Sequence, residues 1–440
     1  MKKLLFGQHI LGLLAMGGLA LSTSLGLSSC SDECSYTYTA LTPIFTPISE
    51  VRSQPFGFTT GAQPMENPGK IYYYQNMLLI NELGKGVHVF DNHDPANPTP
   101  VVFIEMPGNV DMAIRNDVLY LDSYIDLVSV DVSDWNQPKY MGRMEGLYDY
   151  ADFPLANSQV WGWYNSYDET LVTGYEEELI TIEDACGGGP DTWGGWMLFG
   201  GFALEMEFAS ADVLSVSPGG GSGQGGSMAR FTMAANRLYA VDASFLHVVD
   251  ISNPSAPNEV NEMSLDWGVE TIFPYQDKLF LGTNSGMIIT SIANPDQPEE
   301  MGRISHLVAC DPVVVQGDLA YYTIRGGNGC GQAEDQLGVV DISDPYQPRE
   351  IATYAMDQPF GLGIDGNSLF LCEGENGLKV FDASDARAID DNLSQQFKNI
   401  HAWDVIPLGE VLLMVGQGGL YQYDYSDPDN LRLLSHIATN

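Results

Sequence analysis

Basic residues are scarce in this chain. Eighteen Lys and Arg stand against 58 Asp and Glu in 440 residues, a formal charge of −40, and a surface of that sign repels a phosphate backbone or an anionic lipid face. Nucleic acid is thereby excluded as a partner. After the first thirty residues no stretch carries a sustained helical period with caps, so helices do not build the fold. There is no Gly-x-Ser-x-Gly elbow, no His-Glu-x-x-His pair, no phosphate loop and no CxxC or His/Cys cluster. Each would have marked a familiar hydrolase, metalloprotease, nucleotide or zinc chemistry. What is present is apolar material: 44% hydrophobic residues suffice for two or three ordinary domains or one large repeat domain.

The amino terminus is set apart from the rest. Lys2 and Lys3 precede a long uncharged stretch broken only by His9, the layout of a secretory signal. Its end, Leu27-Ser28-Ser29-Cys30, resembles a bacterial lipobox, which implies cleavage before Cys30 and a diacylglycerol on its thiol. An uncleaved transmembrane helix or a plain signal peptide are the competing readings. Residues 1–29 are read as the lipoprotein signal peptide and 30–60 as the lipidated tether and lead-in; acyl chains on Cys30 would hold the protein stably on a membrane. Ser31 stands where an Asp would retain a lipoprotein on the inner membrane, and Asp32-Glu33 resemble the export signal of surface-displayed lipoproteins in the Bacteroidetes. The expected address is the outer membrane and its outer face.

One phrase returns seven times. VHVFDNHDPANP begins at 87, LVSVDVSDWNQP at 127, LHVVDISNPSAP at 246, MIITSIANPDQP at 287, LGVVDISDPYQP at 337, LKVFDASDARAI at 378 and LYQYDYSDPDNL at 420. The starts lie 40, 119, 41, 50, 41 and 42 residues apart, and a period near forty marks a repeat architecture. Each period holds four short segments rich in Val, Ile, Tyr and Phe between turn residues, as in NVDMAIR, DVLYLDS, LVSVDV and PKYMGRM. The expected fold is all-β: a seven-bladed β-propeller of four-stranded antiparallel blades over residues 61–440, whose closure removes exposed sheet edges.

Asp91, Asp131, Asp250, Asp341, Asp382 and Asp424 end the third strand of their repeats, and Ser291 replaces the acid in the fourth copy. A short carboxylate there can accept hydrogen bonds from backbone amides one or two residues on, while the prolines fix φ. Six repetitions make these turn anchors, not catalytic groups. With LHVVD, LGVVD and LKVFD on the page, residues from about 70 to 440 resemble the LVIVD-repeat family of bacterial β-propellers, many of them secreted or lipid-anchored. The resemblance implies a fold and an address, with no reaction attached.

The 119-residue interval fits either an insertion between blades 2 and 3 or two degenerate blades. CGGGPDTWGG and SPGGGSGQGGS favour the insertion, at about 145–227, because Gly runs behave as mobile linkers. Trp161, Trp163, Trp193 and Trp196 in it could pack on the ring or contact a partner. Five cysteines remain besides Cys30. Cys310 and Cys330 fall at the same end of blade 5 and can pair; Cys372 is expected to be a buried thiol, and Cys34 and Cys186 have no fixed separation.

Eight residues before the Leu that opens each second strand lie Lys70, Asp111, Arg230, Asp311, Gly361 and Asp404, with Glu270 nine before. These are expected at the mouth of the central channel. Asp311 and Asp404 flank a glycine without a cation of their own register, so that half of the mouth suits a cation such as Ca²⁺, or a cationic ligand group; no cofactor is certain. The competing role is capping of strand amides. His401, Trp403 and Trp267 could stack a sugar ring. Two functions follow: a binding or assembly scaffold for an extracellular protein or glycan, or a propeller enzyme such as a metal-dependent lactonase or a glycan lyase or hydrolase.

Overall fold

The computed structural model describes residues 36–148, 169–182, 224–225, 227–242, 244–265, 268–283, 285–305, 312–326 and 334–440. Seven antiparallel sheets follow one another along the chain, each made of four consecutive strands. Blade 1 contains Pro68–Tyr74, Met77–Glu82, Gly86–Asp91 and Thr99–Glu105. Blades 2 to 7 occupy 112–144, 231–264, 269–305, 313–355, 362–397 and 402–438. The first strand of each blade neighbours that of the next, and blade 7 returns to blade 1. The chain is therefore an all-β propeller of seven blades.

Sandwiching each blade between two others explains the repeated phrase. Third strands such as GVHVFD and FLHVVD are buried almost throughout, up to the terminal acid, which is why they read as nearly continuous apolar runs instead of alternating ones. In every blade the pairing of the third strand with the fourth shifts register at the same place, as between Val89 and Phe90, Ile289 and Thr290, or Gln422 and Tyr423. One residue of the fourth strand bulges there and turns the strand.

Among the described residues the ring closes by packing, with no exchange of strands between its ends. Ile71, Leu78 and Ile80 of blade 1 form one core with Ile406, Leu413 and Val415 of blade 7. The buried amides of Asn92 and Gln422 exchange hydrogen bonds of 2.9 and 2.7 Å across the same junction.

Two segments outside the repeats are tied to the ring. Gly57–Thr60 adds a fifth strand to the outside of blade 1, so the sheet takes in residues of the lead-in. The short helix Ile48–Ser53 is fastened by Arg52, whose guanidinium meets Asp126 at 2.7 and 2.8 Å and Glu145 at 2.7 Å. Before it, Tyr36–Pro47 pairs antiparallel with Thr170–Ile182 of the long interval, a two-stranded ribbon bearing the exposed side chains of Ile44, Phe45 and Leu179.

The other end of that interval lies inside the ring. Gln224 forms an antiparallel bridge with Tyr73, 2.8 Å in both directions, on the innermost strand of blade 1. Ser227 Oγ accepts from Leu362 N of blade 6 at 3.4 Å, and Ala229 O accepts from Ile272 N of blade 4 at 2.8 Å. Arg230 N then reaches Asp111 of blade 2 at 2.6 Å. Gln224, Ser227, Ala229 and Arg230 thus meet the innermost strands of blades 1, 6 and 4 and the strand entry of blade 2. These residues lie in the central channel, Gln224 at the end where the blade 1 strand finishes and Ser227 at the end where the blade 6 strand starts. Gly225 is fitted to this position, since a Cβ on it would stand 2.8 Å from the Tyr72 ring. Gln224, Gly225 and Ser227, the described residues of the glycine-rich run, are packed against the ring.

Candidate functional site

The entry to an innermost strand is a place where backbone amides lack ladder partners, and the structure fills it with carboxylates. Asp111 Oδ1 accepts from Met112 N at 2.7 Å; its Oδ2 accepts from Arg230 N at 2.6 Å, from Phe231 N at 3.2 Å and from the Lys70 ammonium at 2.6 Å. One side chain thereby joins blades 1, 2 and 3. Burial pulls the Lys70 ammonium below its ordinary value, against the pull of Asp111.

Behind it, Asp122 is also buried and its Oδ1 accepts from Val110 N at 2.7 Å, Asp111 N at 3.0 Å and Asn109 Nδ2 at 2.7 Å. Burial pushes its carboxyl up to about 6 even though those amides act in the other direction. Tyr148 completes the group, stacked on Phe231 with centroids 6.3 Å apart and lying 5.8 Å beneath the Arg230 guanidinium.

In blade 7, Asp404 makes the corresponding bond to its own strand. Its Oδ1 accepts from Val405 N at 2.9 Å, the bond that Asp111 makes to Met112. A Cβ on Gly361 would fall 2.0 Å from Asp404 Oδ1, while Gly361 N donates to Trp403 O at 2.9 Å. The glycine between the two acids in the register is therefore the space that Asp404 occupies. His401 meets Trp403 edge-on at 5.9 Å, and Arg325 lies 4.0 Å over the Phe360 ring, giving this side an aromatic lining. Trp403 Nε1 is buried without a hydrogen-bond partner among the described residues. Nearby, the fully buried Glu373 is neutralised by Lys379 at 2.7 Å. Glu270 is half-buried in the innermost strand of blade 4. Asp311, Trp267, Cys30, Cys34, Cys186, Cys310 and Cys330 and the four insertion tryptophans lie outside the described residues. Cys372 is a free, fully buried thiol.

The turn acids sit at the opposite end of the ring. Asp91, Asp131, Asp250, Asp341, Asp382 and Asp424 each accept from the amide two residues on, at 2.8 to 3.0 Å. Ser291 Oγ does the same at 3.2 Å.

Sequence patterns gave no sign of a second titratable group, on the flank of blade 3. His247 is buried between Asp242 at 3.3 Å and Glu259 at 2.8 Å. Burial lowers its affinity for a proton, but the two carboxylates outweigh burial and raise it. The histidine was visible in LHVVD; its acidic partners were not, because they come from a different strand and a turn.

The LVIVD repeat is found at residues 236–264 and 330–356, in blades 3 and 5. No curated protein matches the chain. Among solved structures, the computationally designed Ika8 protein is 8% identical with a TM-score of 0.48, covering 87% of this chain and 91% of its own. KlHsv2 with loop 6CD replaced by a Gly-Ser linker is 10% identical with a TM-score of 0.47, covering 84% of this chain and 99% of its own. PorZ, a surface component of the type-IX secretion system of Porphyromonas gingivalis, is 9% identical with a TM-score of 0.43, covering 87% of this chain and 39% of its own.

Proposed function

We propose that this LVIVD-repeat propeller is a lipid-anchored protein of the outer membrane, displayed at the cell surface, that serves as a binding or assembly scaffold for an extracellular protein or glycan. The observation that carries the scaffold reading is how the described mouth carboxylates are used. Asp111 accepts four hydrogen bonds from three blades, and Asp404 is fitted against Gly361 and its own strand. Asp111 holds blades together and Asp404 caps its own strand, whereas a general acid or base would need to reach a substrate.

The lipidated address rests on the Leu27-Ser28-Ser29-Cys30 sequence. Tyr36–Pro47 begins six residues after Cys30 and is paired with the long interval, so an anchor at Cys30 would bring the ribbon and its exposed Ile44, Phe45 and Leu179 close to the tether. These apolar side chains are a natural first contact for a partner.

The test is carried out in a Gram-negative host producing the full chain. Wild type is expected to incorporate a labelled fatty acid and to be shaved from intact cells by protease. Cys30→Ser is expected to lose both the label and the membrane fraction. Label on neither protein, or a wild type protected from protease in intact cells, would overturn the anchored and the displayed part respectively. A turnover of a lactone or glycan panel that is abolished by Asp404→Asn in a folded protein would favour the enzyme over the scaffold.

A further inference from the structure

Residues three apart on a regular strand point to opposite faces. Glu259 and Glu262, both in the fourth strand of blade 3 (Asn258–Ser264), do not. His247 pairs with Glu262 and Val248 with Asn261, but Val249 pairs with Glu259, leaving Val260 as the bulged residue. One extra residue restores the parity, so both glutamates face His247. Blade 4 shows the same device: Glu300 and Arg303 straddle its bulge, and Arg303 Nε donates to Glu300 Oε1 at 2.7 Å.

The consequence is a mixed ligand set. One ring nitrogen of His247 and one carboxylate oxygen from each of Glu259 and Glu262 all lie within 4.8 Å of one another. Nδ1 is the nitrogen that faces Glu259, at 2.8 Å. The other, Nε2, is held from behind by Asp242 Oδ2 at 3.3 Å. Asp242 is itself fixed, its Oδ1 accepting from Ser244 N at 2.8 Å and Phe245 N at 2.7 Å. A carboxylate behind a histidine that also faces two more carboxylates is the arrangement that orients imidazole ligands in metal sites. The imidazole is buried while both glutamates are exposed, which gives an ion a path from solvent.

We infer that His247, Glu259 and Glu262 form a binding site for a single divalent transition-metal ion of the zinc type on the outer flank of blade 3. A nitrogen with two carboxylate oxygens suits zinc, and the imidazole turns the set away from Ca²⁺, which takes oxygen ligands. Tetrahedral bonds of about 2.0–2.2 Å place ligand atoms about 3.3–3.6 Å apart. Binding therefore replaces the His247–Glu259 hydrogen bond, opens that contact by roughly half an ångström and draws in Glu262, movements the two solvent-facing side chains can make; a water takes the fourth position.

Among the described residues the site is particular to this blade. Blade 1 has a buried histidine at the corresponding place, His88, but Pro100 and Phe103 stand where the glutamates would be. Blade 5 has an acid, Glu350, but Gly338 and Thr353 at the other two places. The repeat alone does not generate the triad.

The experiment uses the full chain stripped with a chelator, with Zn²⁺ alone added in a calorimeter and Co²⁺ as a spectroscopic substitute. One equivalent of Zn²⁺ is expected to bind, undisturbed by excess Ca²⁺, and Co²⁺ is expected to give the visible bands of a low-coordinate site. Glu259→Gln with Glu262→Gln, both exposed positions, is expected to keep the fold by circular dichroism and to abolish the one-equivalent step. Asp242→Asn is expected to weaken Zn²⁺ by about 10-fold to 100-fold through the histidine. Glu300→Gln on blade 4 is expected to change nothing. No uptake by the wild type, or uptake that survives the double substitution, would overturn the inference.

Discussion

At the scale of single residues, the short side chains at strand ends carry much of the fold. The turn after each third strand is held twice. After Asp131, Ser133 N bonds to its carboxylate at 2.9 Å and Asn136 N to that of Asp134 at 3.0 Å; the same pair recurs at Asp341 with Ser343 and at Asp344 with Tyr346. The hydrogen bonds from Ser133 hold Asp131 below the usual carboxylate range, and Ser343 does so for Asp341. This much could be read from the recurring Asp and Ser in the sequence. Asp122 could not, because the Asp of YLDS looks like any other strand end; only the fold shows that it is buried beneath three amide donors. Its carboxyl is raised by burial to about 6 from an ordinary value of 3.8. A raised acid contributes stability that is present below the unfolded value and is lost as the pH climbs towards 6. Asp122→Asn keeps an oxygen acceptor and has no charge to bury. It is expected to remove up to about 3 kcal/mol of pH dependence between pH 4 and 6, seen as a smaller change in urea midpoint over that range. A variant whose pH dependence matches the wild type would contradict this assignment.

At the scale of elements, the repeated turn is also a connector. The carbonyl four residues after the turn acid, or after Ser291 in blade 4, accepts a bond from the preceding blade: Ser129 Oγ to Pro254 O at 2.6 Å, Tyr239 OH to Pro295 O at 2.9 Å, Tyr354 OH to Ala386 O at 2.9 Å and Ser435 Oγ to Pro95 O at 2.6 Å. At the junction of blades 4 and 5 the contact is made by backbone instead, and a Cβ on Gly302 would stand 2.5 Å from Pro345 O. Gly302→Ala is therefore expected to force the two blades apart and to cost about 1–3 kcal/mol, the range for overpacking, measured by chemical denaturation. A loss within error of zero would show that the junction is slack. The strands and their order were legible because the period near forty and the apolar third strand repeat. The bulges were not, since a single extra residue leaves no mark in a short alternating pattern, and with them went the convergence of Glu259 and Glu262 on His247.

At the scale of the whole molecule, the ring is closed by side chains of blades 1 and 7, and Gln224, Ser227 and Ala229 of its own chain reach its innermost strands. Gly-rich composition suggested a segment outside the blades, yet it could not show that Gln224 and Gly225 lie against the innermost strand of blade 1, because a linker and a close-packed strand need the same small side chains. Register alone suggested the mouth residues, and their engagement was beyond reach of spacing: Asp111 serves Arg230 N across a long gap in sequence, and Gly361 leaves room for Asp404. Among the described mouth acids, Asp111 is tied between three blades. The most direct measurement is amide hydrogen exchange of the native chain, followed at Gln224 and Arg230, whose amides bond to Tyr73 O and Asp111. Both are expected to be protected to the degree of the innermost strands. Exchange of both as fast as an exposed linker would contradict this packing and reopen the channel as a site.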